Sequence, residues 1–331
     1  MPTFLAQIAP QRSTQYIELA THLAPVELML CLFAGHPPEL TPVTLANQHY
    51  LRFALPQMLS QGQLQALGGL ATICASYELF DELAGIAGRL LRPLEPRSQP
   101  ALPADLVITR RYRGKTNELF THVLCNVARA SSGFAHEPWP RLRVLDPLAG
   151  GGTTLFTALM LGANAAGIEH NAGDVKSTVT FLQQYLREAH IASKLKEERL
   201  RKLGQRWSFA IGQAGAQQCV LVAGDTAQAA ALLPGYRPHL IVTDLPYGIQ
   251  HQGQLRELLA AALPVWANLL LPEGALAFAW DATRFPRAEM AALVASVSPL
   301  QVLVEPPYTA MAHRVDRVIK VREVIVAKRR T

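Results

Sequence analysis

Two segments of the chain place an aspartate directly after an apolar run and before a loop. The first is residues 144–155, VLDPLAGGGTTL, and the second is residues 240–248, LIVTDLPYG. Each segment is typical of a β-strand that ends in an acid and then breaks into a loop. In an open α/β sheet, ligands bind at such carboxyl ends of strands. We therefore expect Asp146 and Asp244 to lie at one edge of a sheet, beside a ligand pocket.

The glycine run after Asp146 is suited to close contact between a ligand and the backbone. Gly150, Gly151 and Gly152 lack a Cβ atom, which permits this approach and unusual φ angles. The loop is not a phosphate-binding P-loop, because no Lys followed by Ser or Thr comes after Gly152. It is not a dinucleotide fingerprint either, because Leu155 stands where a third glycine would be needed.

The two segments resemble the D-P-x-[AC]-G-[SG]-G-T loop and the [DN]-P-P-[YF] box of class I methyltransferases that modify exocyclic amines. The resemblance is strongest to tRNA guanine-N2 methyltransferases and related RNA and DNA methylases. In that group a segment like Arg111–Asn117 precedes the glycine loop. The resemblance covers residues 105–325. The chain departs from the box at Leu245, where the family has proline.

The resemblance implies a Rossmann-like fold of the α/β class, in which a seven-stranded, mostly parallel sheet has an antiparallel last strand. It implies S-adenosylmethionine as cofactor and guanine N2 in tRNA as the methyl acceptor. The implied catalytic residues are Asp244, Leu245, Pro246 and Tyr247. Asp244 and the Leu245 carbonyl would accept the N–H groups of the target amine, offsetting the positive charge that develops there. The aromatic ring of Tyr247 would stack on the base.

The implied cofactor site is larger. It comprises Asp146, Pro147, Ala149, Gly150, Gly152, Thr153, Glu169, His170, Asp225, Thr226, Thr116 and Asn117. Asp146 would bind the methionine ammonium, Glu169 the ribose hydroxyls and Asp225 the adenine amine. Lys115 would contact the cofactor carboxylate or a phosphate.

The elements that must position these residues divide into two regions. Residues 105–331 alternate strand-like and helix-like patterns, which predicts a mostly parallel sheet and a methyltransferase domain. Residues 1–92 predict a small N-terminal α/β module, which serves either RNA binding or packing. Residues 93–104 are rich in proline and predict an extended linker. Residues 190–206 predict an extended helix with a basic face, either solvated or in contact with nucleic-acid phosphates.

Charge is distributed unevenly along the chain. Residues 1–100 contain five basic and seven acidic residues, and the remaining chain contains 26 basic and 18 acidic residues. A basic catalytic half is suited to a polyanionic substrate such as nucleic acid. The sequence predicts no secretory signal, membrane span or metal site, and four separate cysteines that are buried free thiols. These features predict a cytoplasmic protein.

Other functions remain open at the level of sequence. The protein could instead be a DNA adenine-N6 or cytosine-N4 methyltransferase, a protein-glutamine methyltransferase, or a non-catalytic partner that binds S-adenosylmethionine. The short segments around the predicted catalytic box argue against DNA, because DNA enzymes that flip a base usually carry a sizeable recognition segment. The sequence leaves open whether a small activating subunit is needed, and which oligomer forms.

Overall fold

The computed structural model of the chain describes residues 1–10, 14–34, 38–95, 99–112, 114–246, 252–283, 285–315 and 319–330. The N-terminal region forms an antiparallel sheet of five strands in the order β2-β3-β1-β4-β5. Its elements are β1 (Thr3–Ile8), α1 (Thr14–Phe33), β2 (Thr41–Leu45), β3 (Gln48–Ala54), α2 (Gln61–Gly68), β4 (Ile73–Leu83) and β5 (Ile86–Leu94).

Strand β5 reaches into the predicted linker. It pairs with β4 up to Leu94, so the first two residues of the stretch 93–104 belong to the sheet. Pro93 is tolerated there because β5 is an edge strand, where a missing N–H breaks no ladder. The division of the chain at 1–92, 93–104 and 105–331 stays a prediction.

The second sheet has nine strands, in the order β13-β14-β12-β11-β6-β7-β10-β9-β8. Its strands are β6 (Arg143–Asp146), β7 (Asn164–Glu169), β8 (Ser193–Leu200), β9 (Gly204–Ile211), β10 (Gln217–Ala223), β11 (Leu240–Asp244), β12 (Ala275–Asp281), β13 (Leu300–Val302) and β14 (Arg322–Arg329). Its helices are α3 (Asp105–Thr109), α4 (Glu118–Ser131), α5 (Thr153–Leu161), α6 (Ala172–Glu188), α7 (Ala229–Leu232), α8 (Gln252–Leu269) and α9 (Arg287–Val297).

Seven strands of this sheet form the predicted Rossmann-like unit. Strands β6, β7, β10, β11 and β12 are parallel neighbours, and β14 runs antiparallel between β12 and β13. This is the predicted arrangement of seven strands, mostly parallel with an antiparallel last strand, so the predicted fold class is confirmed.

The predicted basic helix at residues 190–206 is wrong. Strands β8 and β9 form an antiparallel hairpin there, which extends the sheet beyond β10. The physical reason is the burial of Trp207, Phe209 and Ile211, which alternate with less buried residues at the period of a strand. A tight turn ends at Gly204, whose φ of 147° suits glycine.

Apolar residues pack on both faces of the nine-stranded sheet, and a third cluster lies against the five-stranded sheet. Helix α1 contributes to two of these clusters. Its residues Leu19, Leu23, Val26 and Leu30 join the cluster that contains α4 and α5. Its residues Ala20, Ala24, Leu28 and Leu32 face the five-stranded sheet. Within the described ranges, no helix combines the length and the apolar character that crossing a membrane requires.

Candidate active site

A cavity of about 870 Å³ lies at the carboxyl ends of β6, β7, β10 and β11. The two predicted strand ends therefore meet at one edge of the sheet, because parallel strands all end on the same side. The predicted site residues in its lining are Thr116, Asp146, Pro147, Ala149, Gly150, Thr153, Glu169, His170, Asp225, Thr226, Asp244, Leu245 and Pro246.

Two predicted residues have structural positions outside the cavity lining. Gly152 is the N-cap of α5, with a left-handed φ of 88°. Asn117 is the N-cap of α4, where its side chain accepts a hydrogen bond from the Phe120 amide at 3.0 Å. Tyr247, the predicted stacking residue, lies outside the described residues, so its role stays a prediction.

The glycine loop is braced from both sides. The Gly150 amide donates to Glu169 Oε2 at 2.9 Å, and Glu169 Oε1 accepts from the Asn171 amide at 2.8 Å. On the other side, the Tyr112 ring lies against Gly151, where a Cβ atom would come within 2.2 Å of the ring. Glycine is therefore required at position 151 by the close approach of an aromatic side chain.

Asp146 is a buried acid with an altered protonation equilibrium. Only 3% of the residue is exposed, and its Oδ1 accepts a hydrogen bond from the Leu148 amide at 3.1 Å. Burial raises the pKa of Asp146 to about 6, and the negative charge of Asp244 adds to this effect. A cationic ligand beside Asp146 would restore its ionised form.

The far side of the cavity presents Asp225. This residue is the N-cap of a short 3₁₀ turn, where Oδ1 accepts from the Ala227 amide at 2.9 Å. Its neighbour Thr226 is buried and accepts a hydrogen bond from Trp266 Nε1 at 2.9 Å. This end of the cavity is thus fixed by α8, while Asp225 itself is exposed to the ligand space.

Asp244 is held by two side chains from distant parts of the sequence. Thr116 Oγ1 donates to Asp244 Oδ2 at 2.7 Å, and Arg322 Nη2 lies 3.6 Å from the same oxygen. The Arg322 side chain is 5% exposed, and its guanidinium carbon lies 4.6 Å from the centre of the Phe120 ring. Thr116, predicted as a cofactor contact, therefore orients the predicted catalytic acid.

Leu245 has a use that proline could not fulfil. Its amide donates to the Ala279 carbonyl at 2.8 Å, which continues the pairing of β11 with β12 beyond Asp244. Its side chain is buried, 1% exposed, in the apolar cluster between the sheet and α8. With leucine where the resembled box has proline, position 245 thus provides a hydrogen bond to β12 and a contact in the apolar core.

Sequence reasoning missed three residues around the site. Arg110 and Tyr112 line the cavity, and Arg322 lies beside Asp244. Arg110 directly precedes the segment Arg111–Asn117 that resembles the family, and Tyr112 lies within it, which was a usable signal. Arg322 is the first residue of β14, and an antiparallel strand begins at the edge where the parallel strands end. That rule could have placed it.

The lining is rich in acids. Asp146, Glu169, Asp174, Asp225 and Asp244 all belong to it, together with Arg110 as a cation. Across the described part of the chain, no three His, Cys, Asp or Glu side chains are grouped as a metal site would require. Among the cysteines, Cys125 and Cys219 are buried as predicted and Cys31 is partly buried, but Cys74 is exposed, because alternate residues of a strand face opposite sides.

The structure is similar in fold to several solved proteins. TrmN from Thermus thermophilus is 14% identical, with a TM-score of 0.46, over 99% of this chain and 100% of that chain. The 16S rRNA N2 G1207 methyltransferase RsmC of the same organism, solved with AdoMet and guanosine, is 15% identical, with a TM-score of 0.38, over 88% and 58%. TehB from Haemophilus influenzae is 11% identical, with a TM-score of 0.36, over 57% and 58%.

These similarities concern the fold alone. The chain spans 58% of the length of TehB and of RsmC. No protein-family model and no curated protein matches the chain.

Proposed function

We propose that the protein is an S-adenosylmethionine-dependent methyltransferase that methylates an exocyclic amine of an RNA base, with guanine N2 in tRNA as the target. The observation that carries the proposal is the position of Asp244. Its carboxylate lines the same cavity as Asp146 and the glycine loop, and Thr116 and Arg322 both contact its Oδ2. A cofactor pocket and an acid that can accept an amine N–H are therefore continuous.

The cavity fits S-adenosylmethionine better than it fits a nucleoside phosphate. Its lining contains more carboxylates than cations, which favours a ligand with sulfonium and ammonium groups and repels phosphates. Its volume of about 870 Å³ also leaves room for a second, flat ligand beside the cofactor. In this arrangement Asp146 binds the ammonium, Glu169 the ribose hydroxyls and Asp225 the adenine amine.

The bound cofactor supplies an electrophilic methyl group on sulfur. The protein's task is to activate the amine, whose lone pair is delocalised into the base. Asp244 and the Leu245 carbonyl accept its two N–H groups, which draws the nitrogen toward tetrahedral geometry and stabilises the developing positive charge. As the nitrogen forms its bond to the methyl carbon, the bond between that carbon and sulfur breaks, and one N–H proton of the amine would pass to Asp244 and from there to water. Pro246 shapes the turn after Asp244, and Tyr247 stacks on the base.

The choice of RNA rests on charge and on the resemblance of the two motifs. The β8–β9 hairpin carries exposed basic residues at Lys194, Lys196, Arg199, Arg201 and Lys202. Its turn lies beside the cavity, because a Cβ atom at Gly204 would come within 1.9 Å of the Ala223 carbonyl oxygen, directly before the lining residues Gly224 and Asp225. Arg199, Arg201 and Lys202 lie at or next to this turn, whereas Lys194 and Lys196 lie toward the other end of the hairpin. Basic side chains at the turn suit the phosphates of a nucleic acid.

The test is transfer of a labelled methyl group from S-adenosylmethionine to bulk tRNA, plasmid DNA and a protein extract, followed by digestion and identification of the modified residue. We expect label in tRNA as N2-methylguanine. Asp244→Asn should lower the rate at least about hundredfold while affinity for S-adenosylhomocysteine is retained. The matched control Asp81→Asn removes an exposed acid of β4 and should leave the rate unchanged.

Other outcomes would redirect the assignment. Label in DNA or protein would replace RNA as the substrate class. Cofactor binding without label in any of the three pools would contradict catalysis by the chain alone. Full activity of Asp244→Asn would remove this residue from the mechanism.

A further inference from the structure

The β8–β9 hairpin has one covered and one uncovered face. On the covered face, Trp207, Phe209 and Ile211 are buried in the apolar cluster that also contains residues of α6. Because successive residues of a strand alternate, the residues between them lie on the opposite face. We call this opposite face, together with its continuation on β10, the outer face. It comprises Lys194, Lys196, Glu198, Arg206, Ser208, Ala210, Gln218 and Val220.

Every residue of the outer face is exposed or half-buried. The apolar cluster on this side of the nine-stranded sheet reaches the outer face only at Val220, as far as the structure describes the chain. Helix α7 lies at the cavity end of the face, where Arg206 Nη1 donates to the Leu232 carbonyl at 3.5 Å. The rest of the outer face is a sheet surface that is open to a large ligand.

The outer face carries three cations and one acid. Glu198 is neutralised within the face, because its Oε2 accepts from Arg206 Nη2 at 2.8 Å and lies 3.9 Å from Lys196 Nζ. The face therefore has an excess of positive charge. Lys194 and Lys196 are two residues apart on β8, or about 7 Å, which is comparable to the separation of successive phosphates along a nucleic-acid strand.

The same positive surface continues to the turn of the hairpin. Arg201 and Lys202 are exposed there, and the turn lies beside the edge of the cavity at Ala223 and Gly224. A strand rises about 3.3 Å per residue, so the distance from Lys194 to Arg201 is about 23 Å. A cationic surface of this length fits a polyanion that is longer than a single nucleotide.

The side chains of the outer face are suited to a nucleic-acid backbone and not to unstacked bases. Single strands are bound through stacking of bases on aromatic rings, and none of the eight outer-face residues is aromatic. Paired RNA is recognised through its phosphates and 2′-hydroxyls. Ser208, which pairs with Lys196, and Gln218 provide hydrogen-bonding groups for such contacts.

A protein partner fits the outer face less well than RNA does. The cores of protein interfaces are apolar, enriched in aromatic residues and depleted of lysine. The apolar residues of the outer face are only Ala210 and Val220, and two of its eight members are lysines. Charge and composition therefore both favour a polyanion.

We propose that the outer face, continued by Arg201 and Lys202 at the turn, binds the sugar–phosphate backbone of a base-paired stem of the RNA substrate. This inference rests on the proposed function and deepens it, because it assigns the surface that holds RNA outside the target nucleotide. The contact adds affinity through charge and shape and reads no base sequence.

The test is equilibrium binding of a fluorescently labelled RNA stem-loop to the intact protein, measured by anisotropy at a series of salt concentrations. Each phosphate contact contributes about one unit to the slope of log affinity against log salt concentration. Lys194→Gln combined with Lys196→Gln should therefore lower this slope by about two and weaken binding at low salt by about tenfold. Arg201→Gln combined with Lys202→Gln is a second, independent pair with the same expected effect. The affinity of both double variants for S-adenosylhomocysteine should stay at the native value, which checks that they are folded.

The matched control is Arg141→Gln combined with Arg187→Gln, which removes the same charge from exposed positions outside the outer face. It should retain the native slope. A native slope in both the lysine pair and the turn pair would overturn the inference and leave the proposed function intact. An equal loss in the control would also overturn it, because only net charge would then matter.

Two comparisons on the native protein need no variant. Tighter binding of an unpaired RNA than of the stem-loop would overturn the assignment to a paired stem. Tighter binding of a DNA duplex would overturn the assignment to RNA. Failure of the native protein to bind any RNA would instead contradict the proposed function itself.

Discussion

Asp244 is positioned by residues from distant parts of the sequence as well as by its own strand. Its Oδ2 is contacted by Thr116, which precedes α4, and by Arg322, which begins β14. The Asp244 and Arg322 side chains are 11% and 5% exposed, so water and salt screen their attraction less than at a surface. The contacts with Thr116 and Arg322 therefore hold the orientation of the acid. Arg322 acts through Asp244 and is a positioning residue.

We expect Arg322→Met to lower kcat about tenfold to hundredfold, because an incorrectly placed catalytic group loses this much, with little change in KM for S-adenosylmethionine. Arg322→Lys should restore part of the rate. The pH dependence of kcat is the further readout: the acid limb should move to higher pH in Arg322→Met, because the carboxylate loses its cation. The control Arg141→Met alters an exposed arginine outside the cavity. An unchanged rate and pH profile in Arg322→Met would refute the positioning role.

Asp146 predicts a pH dependence of cofactor binding. Burial raises the pKa of this carboxyl from 3.8 to about 6. Its folded value thus exceeds its unfolded value, so Asp146 stabilises the protein below about pH 4 and this contribution is lost as the pH rises through 6. An ammonium ligand needs the ionised form, so its affinity should fall as the pH drops below about 6, by up to about tenfold per unit.

The measurement is a calorimetric titration with S-adenosylhomocysteine between pH 5 and 8. Asp146→Asn should bind more weakly at neutral pH and show no transition near pH 6. An affinity of the native protein that is constant through this range would contradict contact between Asp146 and the ammonium group.

At the scale of elements, the sequence predicted those parts whose signal is local. An apolar run that ends in an acid marked β6 and β11, and Gly150–Gly152 marked the ligand-binding loop after β6. The β8–β9 hairpin was missed because Lys194–Lys202 has the composition of a charged helix, while the period of two that specifies a strand appears only at Trp207–Ile211. Arg110 and Arg322 were missed because their roles depend on contacts between elements that are distant in sequence.

Leu245 stands where the resembled box has proline, and strand β11 holds it in place by a different means. Proline would rigidify the turn but would bring no N–H group to the sheet. Leucine instead extends the β11–β12 ladder through its amide, and anchors the turn through a buried side chain. Residue 245 is therefore held by the sheet and the core in place of a restricted φ angle.

Restoring the proline of the family's box should consequently destabilise this protein. Leu245→Pro leaves the Ala279 carbonyl without its donor and removes apolar volume from the core, which together should lower the free energy of unfolding by about 2–4 kcal/mol. Leu245→Met keeps the amide and nearly the same volume, and should change it by less than about 1.5 kcal/mol. Urea denaturation of both variants is the measurement. A proline variant as stable as the native protein would show that the hydrogen bond carries no weight.

At the scale of the whole molecule, one buried acid connects the two sheets. Glu27 of α1 is fully buried. Its Oε1 accepts from the Ala71 amide at 2.9 Å and from Asn126 Nδ2 at 2.7 Å. Its Oε2 accepts from the Thr72 amide at 2.9 Å and from Thr72 Oγ1 at 2.6 Å. Donors from the N-terminal region and from α4 thus share one carboxylate. This carboxylate belongs to α1, whose apolar residues contribute to two of the apolar clusters.

This arrangement predicts that the two regions unfold together, and that Glu27→Gln weakens both. A glutamine directs an NH₂ group at donors that needed an acceptor, so we expect a loss of about 2–4 kcal/mol in the free energy of unfolding. All four tryptophans lie between positions 139 and 280, so their fluorescence reports on the nine-stranded region alone, whereas circular dichroism reports on both. Glu27→Gln should lower both midpoints equally, and Glu39→Gln, an exposed control, should change neither. An early transition seen by circular dichroism with an unchanged fluorescence midpoint would mean that the N-terminal region folds independently.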